Sequence, residues 1–151
     1  MDINEAVVIG TGAMGPGIAA ILALGGARTT IVSRTATGAM RAVFTAQALL
    51  RQLEENGLAA AESVNQAVPR LFGADDVAAP AAAAGLVVES ILEDMALKKA
   101  LFARLDRAAP PETILASNTS GLSITEIAKA AGRPNRVLTA HFWNPPHLMP
   151  L

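Results

Sequence analysis

The amino-acid sequence predicts an α/β fold in which helices cover both faces of a doubly wound, mainly parallel sheet. Short apolar runs of strand length alternate with longer segments whose apolar residues recur at helical spacing, as in parallel α/β proteins. A chain of 151 residues with 52% apolar residues can bury one core, so a single domain is expected over residues 1–151. The expected strands are 6–9, 29–32, 86–89, 113–116 and 137–140.

The first βαβ unit is the most clearly marked part of the chain. Ala6–Ile9 is apolar throughout and stops at Gly10, as a strand buried on both faces would. A helical pattern follows and ends at the glycine pair 25–26. The β-branched run Thr29–Val32 then predicts a second strand, joined to the first by one right-handed crossover.

The rest of the chain predicts more helices between the strands. Residues 37–69 read as a helical hairpin that turns at Asn56-Gly57, and the alanine run 81–84 reads as packed helix. A later helix should bury one face, formed by Leu97, Leu101 and Leu105. A capping box, Ser123 with Glu126, should open another helix that ends near Gly132.

Composition narrows the class of ligand. The 12 basic and 13 acidic residues are scattered and leave a net charge of -1, so neither nucleic acid nor a membrane surface is an expected partner. The absence of cysteine excludes disulfides and thiolate metal sites, and no metal site is expected. With no signal-peptide pattern and no apolar stretch of membrane length, the sequence predicts a cytoplasmic protein that handles small molecules.

A glycine-rich loop lies between the first strand and its helix. Gly10-Thr11-Gly12-Ala13-Met14-Gly15 matches the G-x-G-x-x-G pattern in the strand-to-helix setting that this motif requires. Gly10 permits a tight turn, Gly12 lets a pyrophosphate approach the backbone, and Gly15 permits close packing of helix on strand. Amide groups at the helix start can bind the negative charge. The sequence therefore predicts a Rossmann-type dinucleotide-binding domain.

The tip of the second strand bears on the choice between NAD and NADP. An acid at this position usually binds both ribose hydroxyls and repels a 2′-phosphate. Here the tip is Ser33-Arg34, a small hydroxyl and a guanidinium, which favours NADP. Alternatively, Arg34 is a solvated loop residue or stacks on adenine without discriminating.

Four stretches together resemble the amino-terminal NAD(P)-binding domain of the 3-hydroxyacyl-CoA dehydrogenase family, which includes 3-hydroxybutyryl-CoA dehydrogenases. The glycine loop is common to many dehydrogenases, whereas the last two stretches, in this order and spacing, are far more specific. The helical hairpin after the second strand also belongs to the family's pattern. The four stretches are Val7–Gly15, Val87–Asp94, Ala116–Ser120 and His141–Pro146.

The resemblance assigns catalytic roles near the end of the chain. It implies that His141 is the general base that takes the proton of the substrate 3-hydroxyl, for which imidazole is suited. Ser120 and Asn144 match the family's polar pair near the reacting carbon. His147 does not fall on a matching position. A histidine after a strand is more often a hydrogen-bonded structural residue, but the Asn-Pro-Pro that follows favours catalysis here.

The resemblance also assigns cofactor contacts. Glu93 and Lys98 match positions on the nicotinamide-ribose side, and Asn118 lies in the polar stretch expected near the cofactor. A separation of five residues does not place Glu93 and Lys98 on one helix face, so a solvated helix start remains an alternative. Residues 117–120 could equally form a polar turn before the capped helix.

The resemblance implies an enzyme of fatty acid metabolism that oxidises (S)-3-hydroxyacyl-CoA to 3-oxoacyl-CoA, or the reverse, with NAD as the family's usual cofactor. The glutamate that pairs with the family's histidine would fall two residues past Leu151. The mainly helical second domain, which binds substrate and forms a homodimer, is not among residues 1–151. We therefore expect these 151 residues alone to be inactive. Two alternatives are a dehydrogenase of a non-CoA 3-hydroxy acid, of the gulonate or carnitine type, and a dinucleotide-binding module without catalysis.

Overall fold

A six-stranded, wholly parallel sheet forms the centre of the molecule, with strand order β3-β2-β1-β4-β5-β6. The computed structural model describes residues 3–149. The strands are β1 Glu5–Ile9, β2 Arg28–Val32, β3 Leu71–Ala74, β4 Leu86–Glu89, β5 Ile114–Ser117 and β6 Val137–Thr139. The α-helices are α1 Gly15–Leu24, α2 Ala36–Glu55, α3 Ala61–Ala67, α4 Ala78–Ala81, α5 Met95–Ala108 and α6 Ile124–Ala128.

Two apolar clusters, one on each face, bury the sheet. Successive strand residues point to opposite faces, so Val8 packs among α1, α2 and α3, whereas Val7 packs among α4, α5 and α6. The doubly wound α/β prediction is confirmed. The strand order reverses between β1 and β4, and in such sheets ligands bind in the crevice outside the carboxyl ends of the strands at that point.

The structure corrects the sequence prediction at the sheet edge. The strand β3 was not predicted, because it pairs only with β2 and buries only Leu71, leaving Phe72 and Gly73 exposed. The alanine run is helical only at its first residue, Ala81, since α4 ends there and residues 82–85 turn into β4. An edge strand and a one-turn helix each bury too few residues to give the sequence a periodic apolar pattern.

The buried face of α5 also differs from the prediction. Leu105 is buried as expected, but Leu97 is 50% exposed, and the buried stripe is Lys98, Phe102 and Leu105. The predicted leucine face is therefore displaced at its first position, where Lys98 is buried instead of Leu97, while Leu101 is partly buried against the core. The helix α6 begins at the predicted cap, with the Ser123 hydroxyl accepting from the Glu126 amide, but ends at Ala128 rather than near Gly132.

The helical hairpin is confirmed by α2 and α3. The Thr35 side chain caps α2 by accepting a hydrogen bond from the Gly38 amide at 3.1 Å, and the turn after the helix uses Gly57 at φ +70°. None of the helices in residues 3–149 combines the length and the apolar composition needed to cross a membrane.

A buried ion pair ties the end of α5 to the start of β6. The Asp106 carboxylate accepts from the Arg136 guanidinium at 2.8 and 3.1 Å, from Arg133 at 3.2 Å and from the Gly132 amide at 3.0 Å. Burial alone would raise the pKa of Asp106, but the Arg136 hydrogen bonds, the Gly132 amide and the two positive charges outweigh it and lower the pKa. These contacts lie at the amino ends of the strands, whereas the glycine loop lies at their carboxyl ends.

We expect Asp106→Ala to cost roughly 3 kcal/mol of unfolding free energy, because it leaves the buried Arg136 charge without its carboxylate partner. Folding lowers the pKa of Asp106, so its contribution is fully present above its unfolded pKa of about 3.9 and is lost as the pH falls through the lower folded value. Urea unfolding of wild type and variant from about pH 7 to about pH 3 measures this. A difference that stays constant over that range would contradict it, and the exposed Glu55→Gln is the control.

Candidate active site

The glycine loop joins β1 to α1 and leaves one open position in an otherwise tight turn. Gly10 has φ +118°, and a Cβ there would lie 2.2 Å from the Ser90 carbonyl oxygen. A Cβ on Gly15 would lie 2.0 Å from the Gly10 carbonyl oxygen, whereas a Cβ on Gly12 would meet nothing within 4 Å. The fold therefore requires Gly10 and Gly15, while Gly12 leaves its surface open to a ligand. Thr11 and Ala13 are exposed beside it, and Met14 is partly buried.

Ser33 and Arg34 follow β2 directly, at the same edge of the sheet as the glycine loop. The Ser33 amide donates to the Ala74 carbonyl at 3.0 Å, and the residue is half-buried. Arg34 is exposed, and none of the carboxylates in residues 3–149 forms an ion pair with it. Its guanidinium is thus available to an anion beyond the tip of β2.

The structure brings Ser120 and His141 together from two different strand ends. The Ser120 hydroxyl lies 3.0 Å from His141 Nε2, and both residues are exposed. Ser120 follows β5 and His141 follows β6, so their pairing depends on these strands being neighbours. Asn144 is exposed nearby in the chain but forms no hydrogen bond to either side chain within the part of the chain that the structure describes.

Asn118 joins three strand ends. Its Oδ1 accepts from the Phe142 amide at 2.8 Å, and its Nδ2 donates to the Ser90 hydroxyl at 3.2 Å. The side chain therefore fixes the loop after β6 to the loops after β4 and β5. The neighbouring Thr119 hydroxyl accepts from the Leu122 amide at 3.0 Å, so this polar stretch forms a local turn and faces the crevice as well.

Glu93 and Lys98 meet although five residues separate them. Lys98 Nζ lies 3.3 Å from Glu93 Oε2 because Glu93 precedes α5, whose first turn is capped by the Asp94 side chain. The alternative of a solvated helix start is wrong for Lys98, which is 1% exposed. Its ammonium also donates to Glu89 at 2.5 Å, a fully buried residue that the sequence reasoning missed. An acid at the end of an otherwise apolar strand was the signal that could have identified it.

Glu93 is strongly held in its charged form. Partial burial would raise its pKa, but hydrogen bonds from the Thr119 hydroxyl and the Gly121 amide and the nearby Lys98 ammonium lower the pKa to about 2. The Ser120 amide also donates to Glu93 Oε1, at 3.1 Å. The Glu93 carboxylate thus ties the loop after β4 to the turn that carries Ser120.

A cleft of about 480 Å³ runs from the glycine loop along α2. The loop after His141 forms its other wall and packs closely on α1, since a Cβ on Gly17 would lie 2.6 Å from Pro146 Cγ. Burial lowers the pKa of His147, whose side chain lines this cleft. The sequence reasoning did not foresee this cleft, whose lining outside the glycine loop includes Arg41, Thr45, Leu49, Pro146 and His147.

Comparison with known proteins identifies the family. Residues 5–151 match the family described as 3-hydroxyacyl-CoA dehydrogenase, NAD binding domain. The chain belongs to this family. It is 38% identical over its whole length to 3-hydroxyadipyl-CoA dehydrogenase of Escherichia coli (strain K12) and to the probable 3-hydroxybutyryl-CoA dehydrogenase of Bacillus subtilis (strain 168).

The fold comparison agrees. The crystal structure of 3-hydroxybutyryl-CoA dehydrogenase from E. coli K12 has a TM-score of 0.92 and 38% identity over 99% of this chain, which corresponds to 31% of the crystallised one. The chain spans 32% of the E. coli relative and 52% of the B. subtilis relative. The family resemblance predicted from the four sequence stretches is confirmed, and its matched part is the NAD-binding domain.

The glycine geometry predicts that the three loop glycines differ in their tolerance of alanine. Gly10→Ala and Gly15→Ala should destabilise the fold severely, because each added Cβ would press against backbone atoms that cannot move aside. Gly12→Ala should leave the melting temperature nearly unchanged, since its Cβ would enter open space. Thermal unfolding of the three variants tests the contrast, and a Gly12 variant as unstable as the other two would refute it.

Proposed function

We propose that this chain supplies the dinucleotide site and the catalytic histidine of an NAD(P)-dependent enzyme that oxidises (S)-3-hydroxyacyl-CoA to 3-oxoacyl-CoA, or catalyses the reverse reaction. The observation that carries the proposal is the 3.0 Å contact between Ser120 and His141, at the same sheet edge as an open glycine loop. Membership of the 3-hydroxyacyl-CoA dehydrogenase family supports the reaction class.

The dinucleotide would lie across the point where the strand order reverses. The open surface at Gly12 and the first amides of α1 fit a pyrophosphate, and the tip of β2 then receives the adenosine. The other nucleotide must extend over the ends of β4 and β5, towards Glu93, Lys98 and Ser120. The bound nicotinamide would supply the ring that accepts hydride from the substrate carbon.

His141 would act as the general base. Its Nε2 and the Ser120 hydroxyl are close enough for both to contact one substrate hydroxyl oxygen, so that the imidazole takes the proton during oxidation and returns it during reduction. Ser120 would hold that oxygen in line with the base. Asn144, on the same loop as His141, stays a predicted third contact to the substrate or to the nicotinamide carboxamide.

The cleft along α2 suits an extended, partly anionic substrate such as an acyl-CoA. It is lined by apolar side chains and by the exposed guanidinium of Arg41, a suitable partner for phosphate groups. The relatives from E. coli and B. subtilis are named for CoA thioesters. The end of the cleft at Gly12 would hold the pyrophosphate, and the remaining part along α2 favours an acyl-CoA over a non-CoA 3-hydroxy acid.

The greater length of the relatives bears on what turnover requires. We propose that turnover also requires a carboxyl-terminal helical domain, since the chain spans 52% or less of the two curated relatives described above. This second domain would close the cleft and form the homodimer. A cytoplasmic location is consistent with the cysteine-free composition.

The first functional prediction concerns Gly12. Gly12→Val should abolish dinucleotide binding and leave the fold intact, because the added side chain occupies only the surface on which the pyrophosphate would lie. Calorimetric titration measures the affinity, with the exposed Ala82→Val as control. Unchanged affinity in the Gly12 variant would show that the glycine loop is not the cofactor cradle.

The second functional prediction is a preference for NADP. A guanidinium at the tip of β2, in place of the acid that selects NAD, should contribute ~1.5–3 kcal/mol through a 2′-phosphate contact, roughly ten-fold or more in affinity. Arg34→Ala should weaken NADP binding by that factor and leave NAD binding nearly unchanged. Arg107→Ala, an exposed arginine on α5, is the control. Tighter binding of NAD than of NADP by the wild type would overturn the preference.

The third functional prediction separates catalysis from binding. In a longer protein that joins this chain to a carboxyl-terminal domain, His141→Gln should lose about 10²–10⁴-fold in kcat while dinucleotide affinity stays nearly constant. The 151-residue chain alone should turn over little or no 3-hydroxybutyryl-CoA. Absorbance at 340 nm follows both reactions with both cofactors. Robust turnover by the short chain would mean that the catalytic groups are assigned to the wrong residues.

A further inference from the structure

We infer that Glu89 is a positioning residue, whose buried carboxylate holds the Lys98 ammonium in place beneath the nicotinamide half of the dinucleotide site. The inference rests on the proposed function and adds to it a residue that does not touch the cofactor. Glu89 is the last residue of β4, next to the point where the strand order reverses, and is 0% exposed.

Three donors within the protein occupy the Glu89 carboxylate. Its Oε1 accepts from Lys98 Nζ at 2.5 Å and from the Ile91 amide at 2.7 Å, and its Oε2 accepts from the Ser117 hydroxyl at 2.6 Å. Lys98 and Ser117 are as deeply buried as Glu89 itself. These contacts fix the carboxylate by the ends of β4, β5 and α5 at once, so the ammonium has a defined location.

A buried ion pair is a costly way to stabilise a fold, because desolvation offsets most of the attraction. Apolar residues would fill the same space between α5 and the sheet, as Phe102 and Leu105 do one and two turns further along. The Lys98 ammonium, however, also reaches Glu93 at 3.3 Å, and the Glu93 side chain is 44% exposed. The Lys98 ammonium therefore connects the buried Glu89 carboxylate to the Glu93 carboxylate at the surface of the site.

The contacts continue from Glu93 to the catalytic pair. Glu93 accepts from the Ser120 and Gly121 amides at 3.1 and 3.2 Å and from the Thr119 hydroxyl. Ser120 in turn contacts His141. The Lys98 charge lies where the second nucleotide must extend once the pyrophosphate is on the glycine loop, since β4 and β5 form that half of the crevice. Glu89 thus fixes Lys98 and, through the Lys98 ammonium, the exposed Glu93 carboxylate that would meet the cofactor.

The test compares whole dinucleotides with their nicotinamide-free fragments. Glu89→Gln keeps the size of the side chain but removes its charge and converts one acceptor into a donor. It should weaken NADP and NAD binding about ten-fold while 2′-phospho-ADP and ADP, which reach only the glycine loop and β2, change less than about two-fold. Ser117→Ala, which frees only Glu89 Oε2, should change the ratio in the same direction by a smaller factor.

Asp106→Asn is the matched control, because Asp106 is a buried carboxylate paired with an arginine at the opposite end of α5. It should lower the melting temperature and leave the affinity ratio unchanged, as any purely structural role would. Equal losses for dinucleotide and fragment in Glu89→Gln, or an unchanged ratio, would overturn the inference. Should Glu89→Gln fail to fold, an unchanged ratio in Ser117→Ala would overturn it. The cofactor site is tested separately: the wild type should bind the dinucleotide and Gly12→Val should not. If the wild type does not bind it at all, both the proposed function and the inference about Glu89 are overturned.

Discussion

The close approach of the β1 and β4 ends sets the geometry on which both halves of the site depend. Gly10 lies so near the Ser90 carbonyl that a single added carbon would overlap it at 2.2 Å. At this separation the glycine loop and the loop after β4 border one crevice, with the proposed pyrophosphate cradle on one side and Glu93 and Lys98 on the other. Packing at one glycine therefore determines a distance that the proposed chemistry requires.

The helix α5 carries a buried ion pair near each end. The pair at one end, Asp106 with Arg136, stabilises the fold, and the pair at the other, Lys98 with Glu89, lies at the candidate site. At the carboxyl-terminal end, Asp106 and Arg136 form hydrogen bonds with backbone groups and with each other, and these bonds fix β6 against α5. At the amino-terminal end, Glu89 and Lys98 pair with each other, and the Lys98 ammonium also contacts Glu93 at the surface of the site. The same kind of interaction thus stabilises the chain at one edge of the sheet and arranges its site at the other.

The sequence predicted the parts of the fold that burial on both faces makes visible. The four central strands and the glycine loop were recognised because central parallel strands are apolar or β-branched throughout. Of the two edge strands, β6 was predicted from its apolar and β-branched run, whereas β3, of which only Leu71 is buried, escaped notice. In α5 the predicted stripe was displaced at its start, because Lys98 is buried there and Leu97 is exposed. The family resemblance assigned His141 as the base and paired Ser120 with Asn144, whereas the 3.0 Å contact between Ser120 and His141 depends on β5 and β6 being neighbours. The acid at the end of the apolar strand β4 marks Glu89 in the sequence, but its contacts with Lys98 and Ser117 join elements distant in sequence, as does the cleft, and no local pattern encodes them.

The helix α1 lies between the proposed cofactor cradle and the loop that carries His141. Its first turn presents the amides that would receive the pyrophosphate, and its Gly17 lies against Pro146 and His147, on the loop that carries His141. A side chain at Gly17 would push that loop away from the helix, because Pro146 Cγ lies only 2.6 Å from the position of its Cβ. The histidine is therefore positioned twice, by Asn118 through the Phe142 amide and by Gly17 through Pro146. Since the second contact is on the helix that would bind the dinucleotide, α1 joins the proposed cofactor cradle to the loop that carries the proposed general base.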